Sequence, residues 1–148
     1  MNILMVCLGN ICRSPMAQGV MEDLVRQHKL DWKIDSAGTN GLHDGEQPDP
    51  RAIKEMLKHG IDISNQRSRK ISPDDFMKND MICIMDSMNF ITVRKMAPPY
   101  AQEKVFFLMD FSSFEPGMSV PDPYYDNSFP HSYELIYQAC NGIINKFK

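Results

Sequence analysis

Residues 3–15 read Ile3-Leu4-Met5-Val6-Cys7-Leu8-Gly9-Asn10-Ile11-Cys12-Arg13-Ser14-Pro15, and this stretch decides the fold class. Residues 3–6 form a continuous apolar run suited to a strand buried on both faces, and Met16, Val20, Met21, Leu24 and Val25 follow at helical spacing. Between the two runs lie Gly9 and Asn10, residue types that tolerate left-handed backbone. Ser14 and Pro15 then read as an N-cap and a first helical residue. The segment is strand, loop, helix.

Outward from this unit the alternation repeats. Trp32 and Ile34 alternate ahead of Ser36, and Asp49-Pro50 opens a helix carrying Ile53, Met56 and Leu57 that Gly60 stops. Ser72-Pro73-Asp74-Asp75 has the pattern of a capping box for a further short helix. Residues 81–85 read as a third strand, 87–96 as a helix closed by Pro98-Pro99, and 105–109 as a fourth strand. A last helix carries Leu135, Ile136, Ala139, Cys140, Ile143, Ile144 and Phe147 on one broad face. Strands that are continuously apolar and separated by helices predict the α/β class, a parallel sheet covered on both sides and joined by right-handed crossovers. Ligands in such folds bind at the carboxyl ends of the strands. Two aperiodic segments, 38–47 and 110–129, follow strands and so belong to that side.

The chain has 148 residues, 43% of them hydrophobic and 24% charged, with a net charge of −3. That length suits one domain over residues 1–148 with a single full core, without staples. A mildly acidic balance argues against binding nucleic acid, which needs excess Lys and Arg. The longest apolar runs fall far short of a bilayer span, and the first residues show neither a basic leader nor a small-residue cleavage site. No membrane association is expected, and a cytoplasmic location is. The four cysteines are Cys7, Cys12, Cys83 and Cys140. Cys83 and Cys140 fall in apolar segments and read as core thiols. Cys7 and Cys12 have four residues between them and no matching second pair, so a structural metal site is not expected.

The loop between the first strand and helix carries the chemistry. A helix N-terminus directs unpaired amide hydrogens and positive dipole at whatever precedes it, which makes an anion site. Arg13 adds a planar fork able to hold two phosphate oxygens. Cys7 stands at the mouth of this cradle, where a helix N-terminus and an Arg favour the thiolate form of a cysteine, and Ser14 is placed to hydrogen-bond the sulfur. A thiolate within an anion cradle suits nucleophilic attack on phosphorus, with a cysteinyl phosphate as product. An ester also needs its leaving oxygen protonated. Asp122, in Val120-Pro121-Asp122-Pro123-Tyr124-Tyr125, is the candidate: prolines stiffen the segment, adjacent aromatics desolvate the carboxyl, and Tyr124 and Tyr125 offer an aromatic wall. Asp-Pro is equally an ordinary turn dipeptide, and paired tyrosines are common packing anchors.

The segments Val-Cys-Leu-Gly-Asn-Ile-Cys-Arg-Ser-Pro at 6–15, Asp-Ser-Ala-Gly-Thr at 35–39 and Asp-Pro-Tyr-Tyr at 122–125 closely resemble the low molecular weight protein tyrosine phosphatases, in the same order and over essentially the whole chain. The resemblance implies a three-layer α/β/α fold with a four-stranded parallel sheet and a phosphate-binding loop after strand 1. It implies Cys7 as nucleophile, Arg13 as phosphate and transition-state binder, and Asp122 as general acid and then general base. Leu8, Gly9, Asn10, Ile11, Cys12 and Ser14 would cradle the phosphate, with Ser36 and Gln66 supporting the loop. Gln66 stands near where many members have a His that supports the loop Asn. Leu42, where many members have an aromatic residue, would wall the substrate with Tyr124 and Tyr125. The expected partners are a phosphotyrosine-containing protein or peptide and inorganic phosphate as product, with no cofactor and no metal. The state expected is a monomer or weak homodimer, Tyr124 and Tyr125 being candidates for self-association.

Alternatives on the same fold are kept. Relatives that resemble protein arginine phosphatases carry Thr where this chain has Ile11, and the apolar residue speaks for an aryl phosphate. Arsenate reduction needs two further cysteines on a mobile segment, whereas Cys83 lies in a predicted strand and the next cysteine is Cys140. A module that captures phosphotyrosine without turnover is disfavoured by the intact Cys7, Arg13 and Asp122. Cys12 has two readings, a partner for a reversible disulfide with Cys7 or a plain residue packed inward.

Overall fold

The computed structural model describes residues 1–113 and 117–148, so the predicted aperiodic segment 110–129 includes three residues, 114–116, outside the described ones. The strands are β1 (Asn2–Cys7), β2 (Lys33–Gly38), β3 (Met81–Ile84) and β4 (Val105–Phe107). The helices are α1 (Arg13–Gln27), α2 (Pro50–Leu57), α3 (Pro73–Lys78), α4 (Ser87–Met96), α5 (Pro123–Asp126) and α6 (Phe129–Phe147). All strand pairs are parallel in the order β2-β1-β3-β4, with Cys7 beside Gly38 and Val6 beside Ile84. The chain therefore reverses its direction of travel across the sheet at β1, and the crevice at the carboxyl ends of β1 and β3 is the topological switch point where parallel α/β folds bind ligands.

Alternate residues of β1 feed two cores. Ile3, Met5 and Cys7 pack with Met16, Val20 and Met21 of α1, Met56 of α2 and Ile136 and Ile143 of α6. Leu4 and Val6 pack with Ile82 and Ile84 of β3, Phe76 of α3 and Val93 of α4. Both sets are apolar because both faces of the sheet are covered, giving the three layers expected from the continuous run in β1.

Local signals explain the boundaries, with two differences. The Asp49 side chain accepts from the Arg51 N–H at 2.8 Å as N-cap of α2, and Gly60 at φ 76 ends the turn after it. Asp75 closes back on the Ser72 N–H at 2.8 Å, the return half of the predicted capping box. Ser14, however, is not the cap of α1: the helix begins at Arg13 with Cys12 in the cap position, and the Ser14 hydroxyl is taken by the loop. Of the two residue types expected to allow left-handed backbone, Asn10 is the one that takes it, at φ 57. The fourth strand stops at Phe107, and Leu108–Phe111 coil into a 3-10 turn. Leu108 and Met109 are both fully buried in one core, which consecutive strand residues, pointing to opposite faces, do not achieve.

Candidate active site

The loop after β1 is shaped by its carbonyl partners. The Cys7 and Leu8 carbonyls accept from the backbone N–H of Thr39 at 2.9 Å and Asn40 at 3.1 Å, and the Gly9 carbonyl from the Ser68 hydroxyl at 3.0 Å. The Ile11 carbonyl accepts from the Asp49 N–H at 2.8 Å. A trans peptide directs its N–H opposite to its C=O, so the amide hydrogens of Leu8, Gly9, Asn10 and Cys12 turn away from these partners. Together with the N-terminus of α1 they make a concave set of donors suited to a tetrahedral anion. Gly38 permits the close approach of β2 behind the loop, since a Cβ there would stand 2.9 Å from the Leu8 carbonyl oxygen and 3.1 Å from the Asn10 nitrogen.

Asn10 holds the loop from its left-handed position. Its Nδ2 donates to Ser14 Oγ at 2.7 Å and to Ser36 Oγ at 3.0 Å, while its Oδ1 accepts from the Arg69 N–H at 3.0 Å. The Ser36 hydroxyl in turn donates to Gln18 Oε1 at 2.7 Å. Because the Ser14 oxygen already accepts from Asn10, its hydroxyl is free to donate. Cys7 Sγ lies 3.1 Å away, against 3.4 Å for the Ala37 carbonyl, so the sulfur is the better-placed acceptor. Gln66 does not reach this network. Its Nε2 donates to the Pro15 carbonyl at 3.0 Å, bracing the first turn of α1, and its Oε1 is buried without a hydrogen-bond partner among the described residues.

Arg13 is 3% exposed and carries its charge among carboxylates. Nη1 donates to Asp86 Oδ2 at 2.7 Å and to the Val120 carbonyl at 3.0 Å, while Nη2 is 3.5 Å from Asp122 Oδ2. Burial works against the guanidinium, but the Cys7 sulfur, the hydrogen-bonded Asp86 and Asp122 outweigh it and raise its pKa above the ordinary value. Asp86 carries no motif or periodic signal in the sequence, although it lies two residues past β3 on the ligand side and its other oxygen caps α4 through the Asn89 N–H at 2.8 Å. Asp122 is the N-cap of α5, its Oδ1 accepting from the Tyr124 N–H at 3.1 Å. The segment before it is pinned at both sides: the Val120 N–H donates to the Met85 carbonyl at 2.8 Å, and the Ser132 hydroxyl to the Pro121 carbonyl at 3.2 Å.

A cleft of about 220 Å³ opens over the loop, lined by Leu8, Gly9, Ile11, Cys12, Asn40, Leu42, His43, Asp122, Tyr124 and Tyr125. The structure thus brings together the predicted wall and the predicted acid, with Cys7, Asn10, Arg13 and Ser14 buried beside them. His43 and Asn40 join the lining without any periodic or motif signal in the sequence. Leu42 is 80% exposed at the rim. All four cysteines are free and buried, and the Cys12 thiol is pushed up by burial and by Asp49, Cys7 and Asp122. Among the described residues, no group of three His, Cys, Asp or Glu side chains is arranged to hold a metal ion.

Residues 2–148 match the family model described as low molecular weight phosphotyrosine protein phosphatase. The chain belongs to that family. Among its relatives, low molecular weight phosphotyrosine protein phosphatase 2 of Drosophila melanogaster is 40% identical over 148 residues, spanning 99% of this chain and 89% of the relative. A protein tyrosine phosphatase from Entamoeba histolytica, crystallised with Hepes in its active site, superposes with a TM-score of 0.94 at 36% identity over 99% of this chain and 96% of that one. A Drosophila arginine phosphatase superposes with a TM-score of 0.91 at 31% identity over all of this chain and 98% of its own. As a low molecular weight phosphatase, the chain is an enzyme of a class of cysteine-dependent hydrolases acting on phosphoproteins.

Proposed function

We propose that the chain hydrolyses phosphotyrosine in proteins or peptides through a cysteinyl-phosphate intermediate. The observation that carries this is the convergence of Cys7, Arg13 and Asp122 on one loop, with Ser14 Oγ 3.1 Å from the sulfur and Arg13 Nη2 3.5 Å from the Asp122 carboxyl. The substrate phosphate settles on the loop amides and the Arg13 fork, with its ring against Tyr124 and Tyr125. The Cys7 sulfur attacks phosphorus, the bond to the phenolic oxygen breaks, and the Asp122 carboxyl delivers its proton to that oxygen. Water then gives a proton to the Asp122 carboxylate and attacks phosphorus, breaking the sulfur bond and releasing inorganic phosphate. Arg13 and the loop amides stabilise the charge on the equatorial oxygens in both steps.

Ile11 gives the cleft an apolar lining, which supports an aryl ester over phosphoarginine. Cys83 sits within β3 with its thiol pushed up to about 12 by burial, and Cys140 is enclosed in α6, so neither lies where a disulfide relay for arsenate would need it. Residues 1–148 would act as one domain, a monomer or weak homodimer in the cytoplasm. Among the described residues no helix is long and apolar enough to cross a membrane. The test compares kcat/KM on phosphotyrosine, phosphoserine and phosphoarginine peptides without added metal. Preference for phosphotyrosine with complete loss in Cys7→Ser supports the reading; activity surviving Cys7→Ser, or a preference for phosphoarginine, overturns it.

A further inference from the structure

Arg51 has no part in the steps above, yet its guanidinium touches two parts of the site at once. Toward the phosphate loop, Nε and Nη2 grip the Asp49 carboxylate at 3.0 and 2.9 Å, and the Asp49 backbone in turn holds the Ile11 carbonyl at 2.8 Å. Toward the acid segment, Nη1 donates to the Asn127 side-chain oxygen and Nη2 to the Tyr124 carbonyl at 3.3 Å. The cation also lies 4.9 Å from the Phe129 ring centre and 5.4 Å from that of Tyr124. Stacking and forked hydrogen bonding together are what a guanidinium offers and an ammonium does not.

The far end of this contact is α5, the single turn capped by Asp122. A four-residue helix is far below the length that holds its own shape, so contacts with the rest of the protein decide where it stands. Its N-terminal side is tied to Met85, just past β3, and to α6 through Val120 and Pro121. On its C-terminal side, Asn127 closes the turn in the left-handed region at φ 60 and offers its side-chain oxygen to Arg51. We propose that Arg51 is a positioning residue that spaces the Asp122 carboxyl and the Tyr124 ring from the phosphate loop. This deepens the phosphatase reading and rests on Asp122 being the general acid. If Arg51 served only to cap α2, the Asp49 pair would suffice and the Asn127 contact would be idle.

The experiment measures kcat/KM for a series of aryl phosphates from 4-nitrophenyl to phenyl with Arg51→Lys, Asn127→Ala and Asp122→Asn. A good leaving group departs without a proton, so displacing the acid penalises the poor ones selectively. Both positioning variants are expected to lose about tenfold on phenyl phosphate and less than about threefold on 4-nitrophenyl phosphate. Inhibition by inorganic phosphate should stay within about twofold, and Arg51→Lys should add less than about twofold in an Asp122→Asn background. Asn127→Ala leaves the Asp49 pair untouched, so a loss of folding in the Arg51 variant does not rescue the proposal. A steep series in Asp122→Asn with equal losses across the series in both positioning variants overturns the proposal alone. A flat series already in Asp122→Asn removes the acid assignment and the proposal with it.

Discussion

Replacing Asp86 by Asn isolates the electrostatic support of Arg13. Asn keeps an oxygen for the Asn89 N–H that caps α4, so the helix end survives and what is lost is the negative charge 2.7 Å from Nη1. Removing one partner of a fully buried pair costs about 3 to 5 kcal/mol, because the other charge is left without compensation. Here Arg13 is 3% exposed but Asp86 is 26% exposed, and the Val120 carbonyl at 3.0 Å and Asp122 at 3.5 Å remain. Solvent screening and the remaining partners bring the expected cost to about 2 kcal/mol. For a domain of this size that lowers Tm by about 4 to 8 °C. Inorganic phosphate on the loop would give Arg13 a replacement counter-charge, so the gap from the unsubstituted protein should narrow to about half in saturating phosphate. Scanning calorimetry with and without phosphate reads both effects. A Tm loss under about 1 °C, or a gap that widens with phosphate, would refute the account of Arg13 as a buried cation neutralised by Asp86.

Three further outcomes follow from other parts of the site. Gly38→Ala places a methyl 2.9 Å from the Leu8 carbonyl, a backbone atom that moves only with the loop, so kcat/KM should fall about tenfold or more for a stability cost of about 1 to 3 kcal/mol; unchanged kinetics would show that the loop tolerates displacement. Burial opposes the charge of Asp75, but the Arg69 guanidinium and the Ser72 N–H prevail and hold its carboxyl below the ordinary value. Its stabilisation is therefore complete above the unfolded carboxylate range and disappears as pH falls through the lower folded value; the urea midpoint of Asp75→Asn should vary less with acid than that of the parent, and parallel curves would exclude this role. Burial pushes the Cys12, Cys83 and Cys140 thiols upward, whereas the equally buried Cys7 has Ser14 Oγ 3.1 Å from its sulfur and the Arg13 cation acting on it, so iodoacetate at neutral pH should label the native protein at Cys7 first; mass spectrometry finding an earlier adduct on any of the other three would contradict the assignment of Cys7 as the reactive thiol.

The main architecture was legible because its signals are local. Residues 3–6 are apolar on both faces of β1, and two packed cores meet them there. Tyr124 and Tyr125 follow from the Asp122 segment, and Leu42 only from the family resemblance; all three line the cleft. Gln66 was expected to support the loop Asn and instead binds the Pro15 carbonyl, because side-chain reach after a turn depends on how the turn is carried back to α1. The cap of α1 was assigned to Ser14 from residue preference alone, while the competing demand of Asn10 for that hydroxyl lay within the loop's tertiary shape. Arg69, which anchors Asn10 through its backbone and Asp75 through its guanidinium, stands in a stretch with no periodicity to mark it.

By itself the sequence determined a parallel sheet and a strand–loop–helix unit at its start that holds Cys7, Asn10 and Arg13. Those features depend on periodicity, capping and backbone preference acting across a few neighbouring positions. The tertiary structure alone decided which carboxylate answers Arg13, and that Arg51 spans from Asp49 to Asn127. Arg13 and Asp86 are 73 positions apart, and only the placing of β3 beside β1 brings them together. A buried cation takes whichever partner the strand order delivers within hydrogen-bond reach, and strand order is a property of the whole chain.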